Sequence, residues 1–200
     1  YVDGNNNGKF DAWWIAGFSQ QRAASGVHDD VWTRAMVFDD GETRLALVSI
    51  DAIGFRHDDV VDVRKQIPED LGVDYTIVSS THTHESNDLI GIWGEHPLKS
   101  GVNREHMSCI KEQIVKSIAL ATGNLRPARL RFAQDLSGAV ELLMDTRDPI
   151  VTDPGLRLIQ AMDVETDSTL GTLVAWANHP ETLWSDNLLI SSDFPHYLSC

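Results

Sequence analysis

Three things are scarce in this sequence of 200 residues, and each scarcity excludes a class of protein. Only 2 residues are cysteine, Cys109 and Cys200, too few for a disulfide-built scaffold, and they leave the redox compartment open. No run of 18 apolar residues occurs, so the sequence predicts no membrane-spanning helix. Lys and Arg number 16 against 30 Asp and Glu, and the net charge of -14 argues against nucleic acids and anionic membrane surfaces as partners.

The sequence does have enough apolar residues, 42%, to bury a sizeable core. Their periodicity alternates between strand and helix patterns, and a strand–helix–strand order predicts parallel pairing. A hairpin signal, Asp-Asp-Gly-Glu at 39–42, separates the first two strand patterns. The predicted fold class is α/β, with mixed β-sheets flanked by helices in a layered sandwich. We expect strands at 31–38, 44–50, 74–84, 128–132, 156–164 and 170–177, and helices at 58–67 and 103–122.

The stretch 75–84 is apolar and β-branched at first and ends in two histidines, His82 and His84. Such a run predicts a buried strand, which the loop-forming residues from Glu85 onward would end. Because side chains alternate along a strand, both imidazoles are expected on one face where the chain emerges into solvent. Taken alone, the pair favours hydrogen-bonded surface histidines over a ligand site.

A second stretch, 172–181, repeats this design. Its apolar run ends in His179, and Pro180 prevents the strand from continuing in a ladder. Two strands therefore each carry histidine at an end. Neutral imidazole is the commonest metal ligand, and zinc takes three or four N, O or S donors, so the two stretches together predict a metal site.

These residues resemble a known family. Ser79-Ser80-Thr81-His82-Thr83-His84 and Asn178-His179-Pro180 are similar to motifs in the N-terminal catalytic domain of the neutral, non-lysosomal ceramidases. The similarity runs in the family's order from about Trp14 to the end, through 16–18, 24–29, 33–35 and 190–195. It implies that His82 and His179 bind zinc. His84, two positions after His82, would then lie close enough to the ion to be a catalytic neighbour that donates a proton or hydrogen-bonds the oxyanion.

A further segment, 145–149, resembles the family segment that carries an arginine into the active site. The resemblance implies a catalytic role for Arg147. An ordinary loop arginine paired to Asp145 or Asp148 is the alternative.

The resemblance implies a zinc-dependent hydrolase that uses metal-activated water to cleave an amide bond, as in the N-acyl lipid ceramide. Residues 14–200 would form the N-terminal part of its domain, with the remaining metal ligands expected beyond Cys200 and a secreted, periplasmic or cell-surface location. The family usually has Ser-Gly-Pro where this chain has Glu85-Ser86-Asn87, in a loop that borders the substrate. Two alternatives therefore stay open: a zinc-dependent esterase or amidase on a non-lipid small molecule, and a non-catalytic secreted module. The oligomeric state stays open as well.

The segment 1–13 contains an incomplete match to a calcium-binding loop. A glycine stands at loop position 6, whereas Trp14 stands at position 12 in place of the usual bidentate glutamate. A flexible Asn/Gly turn is the alternative, and a bound Ca²⁺ would pin the N-terminal segment without taking part in chemistry. The predicted ligands are Asp3, Asn5, Asn7, Lys9 through its carbonyl, and Asp11.

Two other polar residues have predicted places. Asp51 directly follows the strand 44–50, where it is a hydrogen-bond acceptor for a histidine or, more typically, a strand-end cap. His106 lies near the start of the predicted helix 103–122 and is expected on the surface.

Overall fold

The structure is a computed structural model that describes Gly8 and residues 11–199. The chain divides into two compact units. The first contains the residues up to Gly123 and those from Pro180 onward, and the second is Asn124–His179. Four of the predicted calcium ligands lie outside the described residues, so the calcium loop stays a prediction: Asp3, Asn5, Asn7 and Lys9.

Most of the regular elements belong to the first unit. In chain order it contains β1 (Gly26–Val27), β2 (Thr33–Asp39), β3 (Arg44–Ile50), α1 (His57–Gln66), β4 (Tyr75–Ser80) and α2 (Arg104–Gly123). The second unit contains β5 (Ala128–Asp135), β6 (Leu156–Asp163) and β7 (Thr169–Trp176). After it come β8 (Leu189–Ile190) and α3 (Phe194–Leu198), again in the first unit.

The main sheet of the first unit has the order β2-β3-β4. Strands β2 and β3 are antiparallel across the predicted hairpin, where the Asp40 carboxylate accepts the backbone N–H groups of Glu42 and Thr43. Strands β3 and β4 are parallel, with α1 as the crossover, so the predicted strand–helix–strand unit is confirmed. After Pro68 a short 3₁₀ turn ends at Gly72, whose φ of 59° lies in the left-handed region.

The core of the first unit lies between α2 and the main sheet. Helix α2 contacts β2 and β3, and its residues Ile114 and Ile118 are fully buried. The helices thus cover the sheet as a second layer, and the predicted α/β class with helices flanking mixed sheets is confirmed. The buried cluster consists of Ala46, Val48, Ile50, Ala52, Val63, Leu89, Met107, Ile114 and Ile118.

Two predictions about β4 were wrong. The strand ends at Ser80 and does not continue to the histidines, because His82 has a φ of 68°, which lies far from strand values. The strand is also not buried on both faces, since Tyr75 is 67% exposed and Ile77 is 53% exposed. The buried Thr76 and the exposed Tyr75 and Ile77 show that one face of the strand packs inward while the other is open.

A two-residue parallel pairing of β1 with β8 was not predicted. The backbone N–H of Ser25 donates to Leu188, and that of His28 donates to Ile190, both at 2.8 Å. Two residues carry no periodicity, and a pairing across more than 160 positions leaves no local pattern. The pairing matters because it anchors the segment that follows Pro180 to the beginning of the first unit.

The second unit is a three-stranded antiparallel sheet of order β5-β6-β7. The predicted hairpin of β6 and β7 is confirmed, with an irregularity in register between Ala161 and Met162. Among the described residues, no helix combines the length and the apolar character needed to cross a membrane.

Candidate metal centre

The chain leaves β4 and turns inward at once. Residues 83–89 are all buried, whereas His82 is exposed. The N–H groups of Thr81 and His82 donate to Ile50 and Ala52, at 2.9 and 3.0 Å, which ties the start of this loop to the end of β3. A positive φ is uncommon outside glycine and is found disproportionately at functional sites, and here it redirects the chain at His82.

Three histidines come together after this turn. His82, His84 and His179 each offer one ring nitrogen, and these nitrogens lie within 4.8 Å of one another. His179 is the residue directly before Pro180, whose carbonyl oxygen accepts the backbone N–H of His84 at 3.0 Å. The main chain of the first unit therefore places the neighbour of His179 beside His84.

The donor set fits a metal ion. In a tetrahedral site with Zn–N bonds of about 2.1 Å, two nitrogens lie about 3.4 Å apart, so side-chain shifts on the order of 1 Å complete the geometry. Imidazole nitrogen suits zinc and other divalent transition metals, whereas Mg²⁺ and Ca²⁺ prefer oxygen. The group can therefore hold a metal ion, and its nitrogen donors suit a transition metal better than Mg²⁺ or Ca²⁺.

The tautomer of His82 follows from a single hydrogen bond. Its Nδ1 lies 2.5 Å from the carbonyl oxygen of Ile53. A carbonyl oxygen only accepts, so Nδ1 carries the proton, and in the neutral ring Nε2 keeps its lone pair. Metal-binding histidines commonly have their second nitrogen held by such an acceptor, which orients the ring and fixes the tautomer.

His84 is enclosed from several sides. It is 7% exposed, and the rings of Phe18 and His82 approach it edge-on, with centroids 4.9 and 5.1 Å away. A carboxylate oxygen of Glu181 lies 3.6 Å from its Nδ1. Gly17 packs so closely that a Cβ there would lie 2.6 Å from the Cβ, Cγ and Nδ1 atoms of His84.

Replacing Gly17 with alanine is expected to displace His84. The added methyl group would overlap the imidazole, and the φ of 118° at Gly17 is one that L-residues rarely adopt. Backbone strain and overpacking together should lower the free energy of unfolding by at least about 2 kcal/mol. Urea-induced unfolding measures this change. Gly41→Ala is the matched control for backbone strain, because Gly41 also has positive φ and has open space around it. Equal losses in the two variants would contradict the close packing at His84.

An ion pair buried beneath the histidine loop was not predicted. Arg22 is 4% exposed and Glu85 is fully buried, and their side chains meet at 2.8 Å. Arg22 also donates to the carbonyl oxygens of Ala16, His84 and Asn187, and its guanidinium lies 5.0 Å from the centre of the Phe18 ring. Burial raises the pKa of Glu85, although the Asn187 and Arg22 contacts oppose that rise. The pair therefore holds the main chain on which His84 stands.

The three residues that stand in place of the family's Ser-Gly-Pro, Glu85-Ser86-Asn87, are buried in the first unit. Glu85 is fully buried, Ser86 is 2% exposed and Asn87 is 8% exposed. The carboxylate of Glu85 accepts hydrogen bonds from the side chains of Arg22 and Asn187, so donors within the protein stabilise its negative charge.

The segment after Pro180 is held by the Ser-Ser-Asp motif at 191–193. The Asp193 carboxylate accepts the hydroxyl of Thr182 at 2.7 Å and the N–H of Leu183 at 3.1 Å. Ser191 donates to Asp29, and although burial alone would raise the pKa of Asp29, the bonds from Ser191, Ser192 and His28 lower it. This motif therefore fixes the residues that directly follow Glu181.

Asp51 has a structural place at the strand end. Its Oδ2 accepts the N–H of Trp32, a guanidinium N–H of Arg34 and the hydroxyl of Ser192. These bonds agree with the strand-end alternative.

His106, predicted on the surface, is instead half-buried against Trp13, and burial lowers its pKa.

Arg147 belongs to the second unit. Its Nε lies 3.1 Å from Oδ1 of Asp145, and its side chain is 85% exposed. The N–H of Val151, the Arg147 side chain and the Arg147 N–H lower the pKa of Asp145 to about 2. The pairing with Asp145 agrees with the loop-arginine alternative, and the catalytic role of Arg147 stays a prediction.

The sequence reasoning missed Gly17, Arg22 and Glu181. Glu181 stands two positions after His179, so a search for carboxylates next to candidate ligands finds it. Gly17 lies in the segment 16–18 that resembles the family, but neither that segment nor the residues around Arg22 indicate contacts with a loop more than 60 positions away.

Comparison with solved structures shows which known fold the chain has. No family model matches this sequence. The neutral ceramidase from Pseudomonas aeruginosa has 20% sequence identity and a TM-score of 0.72, over 91% of this chain and 31% of that one. A ceramidase complexed with C2 has 21% identity and a TM-score of 0.73, over 90% of this chain and 31% of that one. This chain thus spans about a third of the length of either protein. The resemblance predicted from the histidine motifs is confirmed for the fold, which over about nine tenths of this chain is the fold of part of a ceramidase.

Proposed function

We propose that this chain carries the metal-binding part of a zinc-dependent hydrolase that cleaves the amide bond of an N-acyl lipid such as ceramide. The observation that supports it most is the meeting of three imidazole nitrogens within 4.8 Å. The Nδ1 contact of His82 with Ile53 supports it further, because this contact leaves Nε2 able to bind metal. The ceramidase fold is consistent with this chemistry but does not by itself assign it.

The residues divide into two roles under this proposal. His82 and His179 hold the ion, and the family's further ligands, a glutamate and a tyrosine, come from elsewhere in the full-length protein. When bound, zinc supplies a water of pKa near 7 and polarises the substrate carbonyl. His84 gives a proton to the leaving amine or hydrogen-bonds the oxyanion, and Arg147 stabilises developing negative charge.

Burial of Glu85, Ser86 and Asn87 bears on the substrate. Their departure from the family motif was the reason to consider a non-lipid substrate, yet each is less than a tenth exposed. Because these three residues are buried within the protein, their difference from the family motif gives no reason to change the substrate class. The burial therefore removes the reason for preferring a short amide or ester.

A substrate panel with the full-length, zinc-loaded protein tests the proposal. The panel contains an N-acyl sphingoid base, a short N-acyl amino acid and a short ester, and release of the acyl group is measured for each. We expect kcat/KM to be highest for the N-acyl sphingoid base and to fall when a chelator removes the metal. Faster cleavage of the short amide or ester would indicate the non-lipid hydrolase instead, and no turnover at all would indicate the non-catalytic module.

A further inference from the structure

Glu181 supplies a carboxylate beside the buried histidine of the group. Its Oε2 lies 3.6 Å from Nδ1 of His84, and its side chain is 27% exposed against 9% for that of His84. The separation is an ion-pair distance, slightly longer than a hydrogen bond. Contacts of this kind in ligand-free sites are often long and tighten when the site is filled.

Two neighbouring contacts limit where Glu181 can go. Pro180, directly before it, accepts the N–H of His84. Thr182 and Leu183, directly after it, donate to Asp193, which is 2% exposed. The main chain on both sides of Glu181 is therefore fixed against buried partners, and the carboxylate is held near the ring.

The imidazole of His84 has equally little freedom. Gly17 packs against its Cβ, Cγ and Nδ1, and Phe18 and His82 meet its ring. Arg22 holds its carbonyl oxygen at 3.0 Å. A ring so enclosed keeps Nδ1 on the side of Glu181.

We propose that Glu181 is a positioning residue that holds the proton of His84 on Nδ1 and directs Nε2 to the metal centre. This inference rests on the proposed function for its consequence in catalysis, but not for the state of the ring. A carboxylate accepts and does not donate when ionised, so it selects the Nδ1–H tautomer. His82 has the same arrangement, with the carbonyl of Ile53 in place of the carboxylate. On His84 the bare Nε2 would, in the proposed reaction, first take a proton from the attacking water and then give that proton to the leaving amine.

The direct test is the tautomer of His84 in the metal-free, full-length protein. Long-range proton–nitrogen correlation spectra of ¹⁵N-histidine-labelled protein distinguish a protonated ring nitrogen from a bare one, and the His84→Ala spectrum assigns the signals. We expect a protonated Nδ1 and a bare Nε2 in the natural protein. In Glu181→Met the two nitrogen shifts should move toward those of mixed tautomers. Glu181→Gln should restore the natural shifts, because its amide oxygen accepts the same hydrogen bond. Glu42→Met, at the exposed β2–β3 turn, should change nothing.

The kinetic test separates positioning from binding. Glu181→Met should lower kcat by about 10–100-fold and leave KM and zinc content unchanged, because the ring is misdirected while its neighbours still hold the ion. A proton on Nε2 in the natural protein, or unchanged shifts in Glu181→Met, would overturn the assignment. If the shifts change as expected but the natural protein cleaves no amide, then Glu181 keeps its place and the proposed function is wrong.

Discussion

Alanine at His82 or at His179 is expected to abolish stoichiometric zinc binding and amide hydrolysis together. Each substitution removes one of three nitrogens that lie within 4.8 Å of one another. The loss of affinity should exceed the 10–100-fold that is typical for removal of an outer hydrogen-bond partner, because a bond to the ion itself is lost. Metal content after dialysis and turnover, measured side by side on the full-length protein, check this expectation.

The same measurement on His84→Ala separates its role from theirs. As a proton donor or oxyanion partner, His84 should leave the zinc content unchanged, while its loss lowers the rate by about 10²–10⁴-fold. His57→Ala is the control, since His57 is exposed at the start of α1, whereas His106 is half-buried and unsuitable. Stoichiometric zinc in His82→Ala and His179→Ala would refute the ligand assignment. Loss of zinc in His84→Ala would make His84 a ligand as well.

The second large effect expected is a loss of stability in Arg22→Met. Glu85 is fully buried, so its charge would be left without the guanidinium that now lies 2.8 Å away. Breaking a buried ion pair from one side typically costs about 3–5 kcal/mol in the free energy of unfolding. The carbonyl oxygens of Ala16, His84 and Asn187 would lose a donor in the same step. Urea-induced unfolding of the metal-free protein measures the change without any contribution from zinc.

A double variant tests the physical cause. In Arg22→Met with Glu85→Met no buried charge is left, so the double variant should be more stable than Arg22→Met alone, because apolar side chains can replace a buried pair at little cost. It should remain less stable than the natural protein, since the three carbonyl oxygens still lack their donor. Lys65→Met is the surface control: its pair with Asp62 is largely exposed, and its loss should change stability by less than about 0.5 kcal/mol. A double variant no more stable than Arg22→Met would show that the charge on Glu85 is not what makes the single substitution costly.

By itself, the sequence determined the local elements and the candidate ligands. Helices α1 and α2 begin and end within one residue of their predicted bounds, and the hairpins on either side of Asp40 and of Asp167 formed as predicted. Such features are readable because periodicity, glycine and proline act within a few positions. The histidines were recognisable for a similar reason: two short motifs each end an apolar run.

Only the tertiary structure decided the backbone conformation and the relative positions of those histidines. The expected strand through His82 and His84 ends at Ser80, and a positive φ at His82 turns the chain into a buried loop. That loop is held by Arg22, 63 positions before its partner Glu85, and by Ser191, whose backbone N–H donates to the carbonyl oxygen of Glu85 from more than 100 positions away. Contacts over such separations depend on how the whole chain packs, and no local pattern encodes them. Elements therefore follow from neighbours in sequence, whereas the geometry of the metal centre follows from neighbours in space.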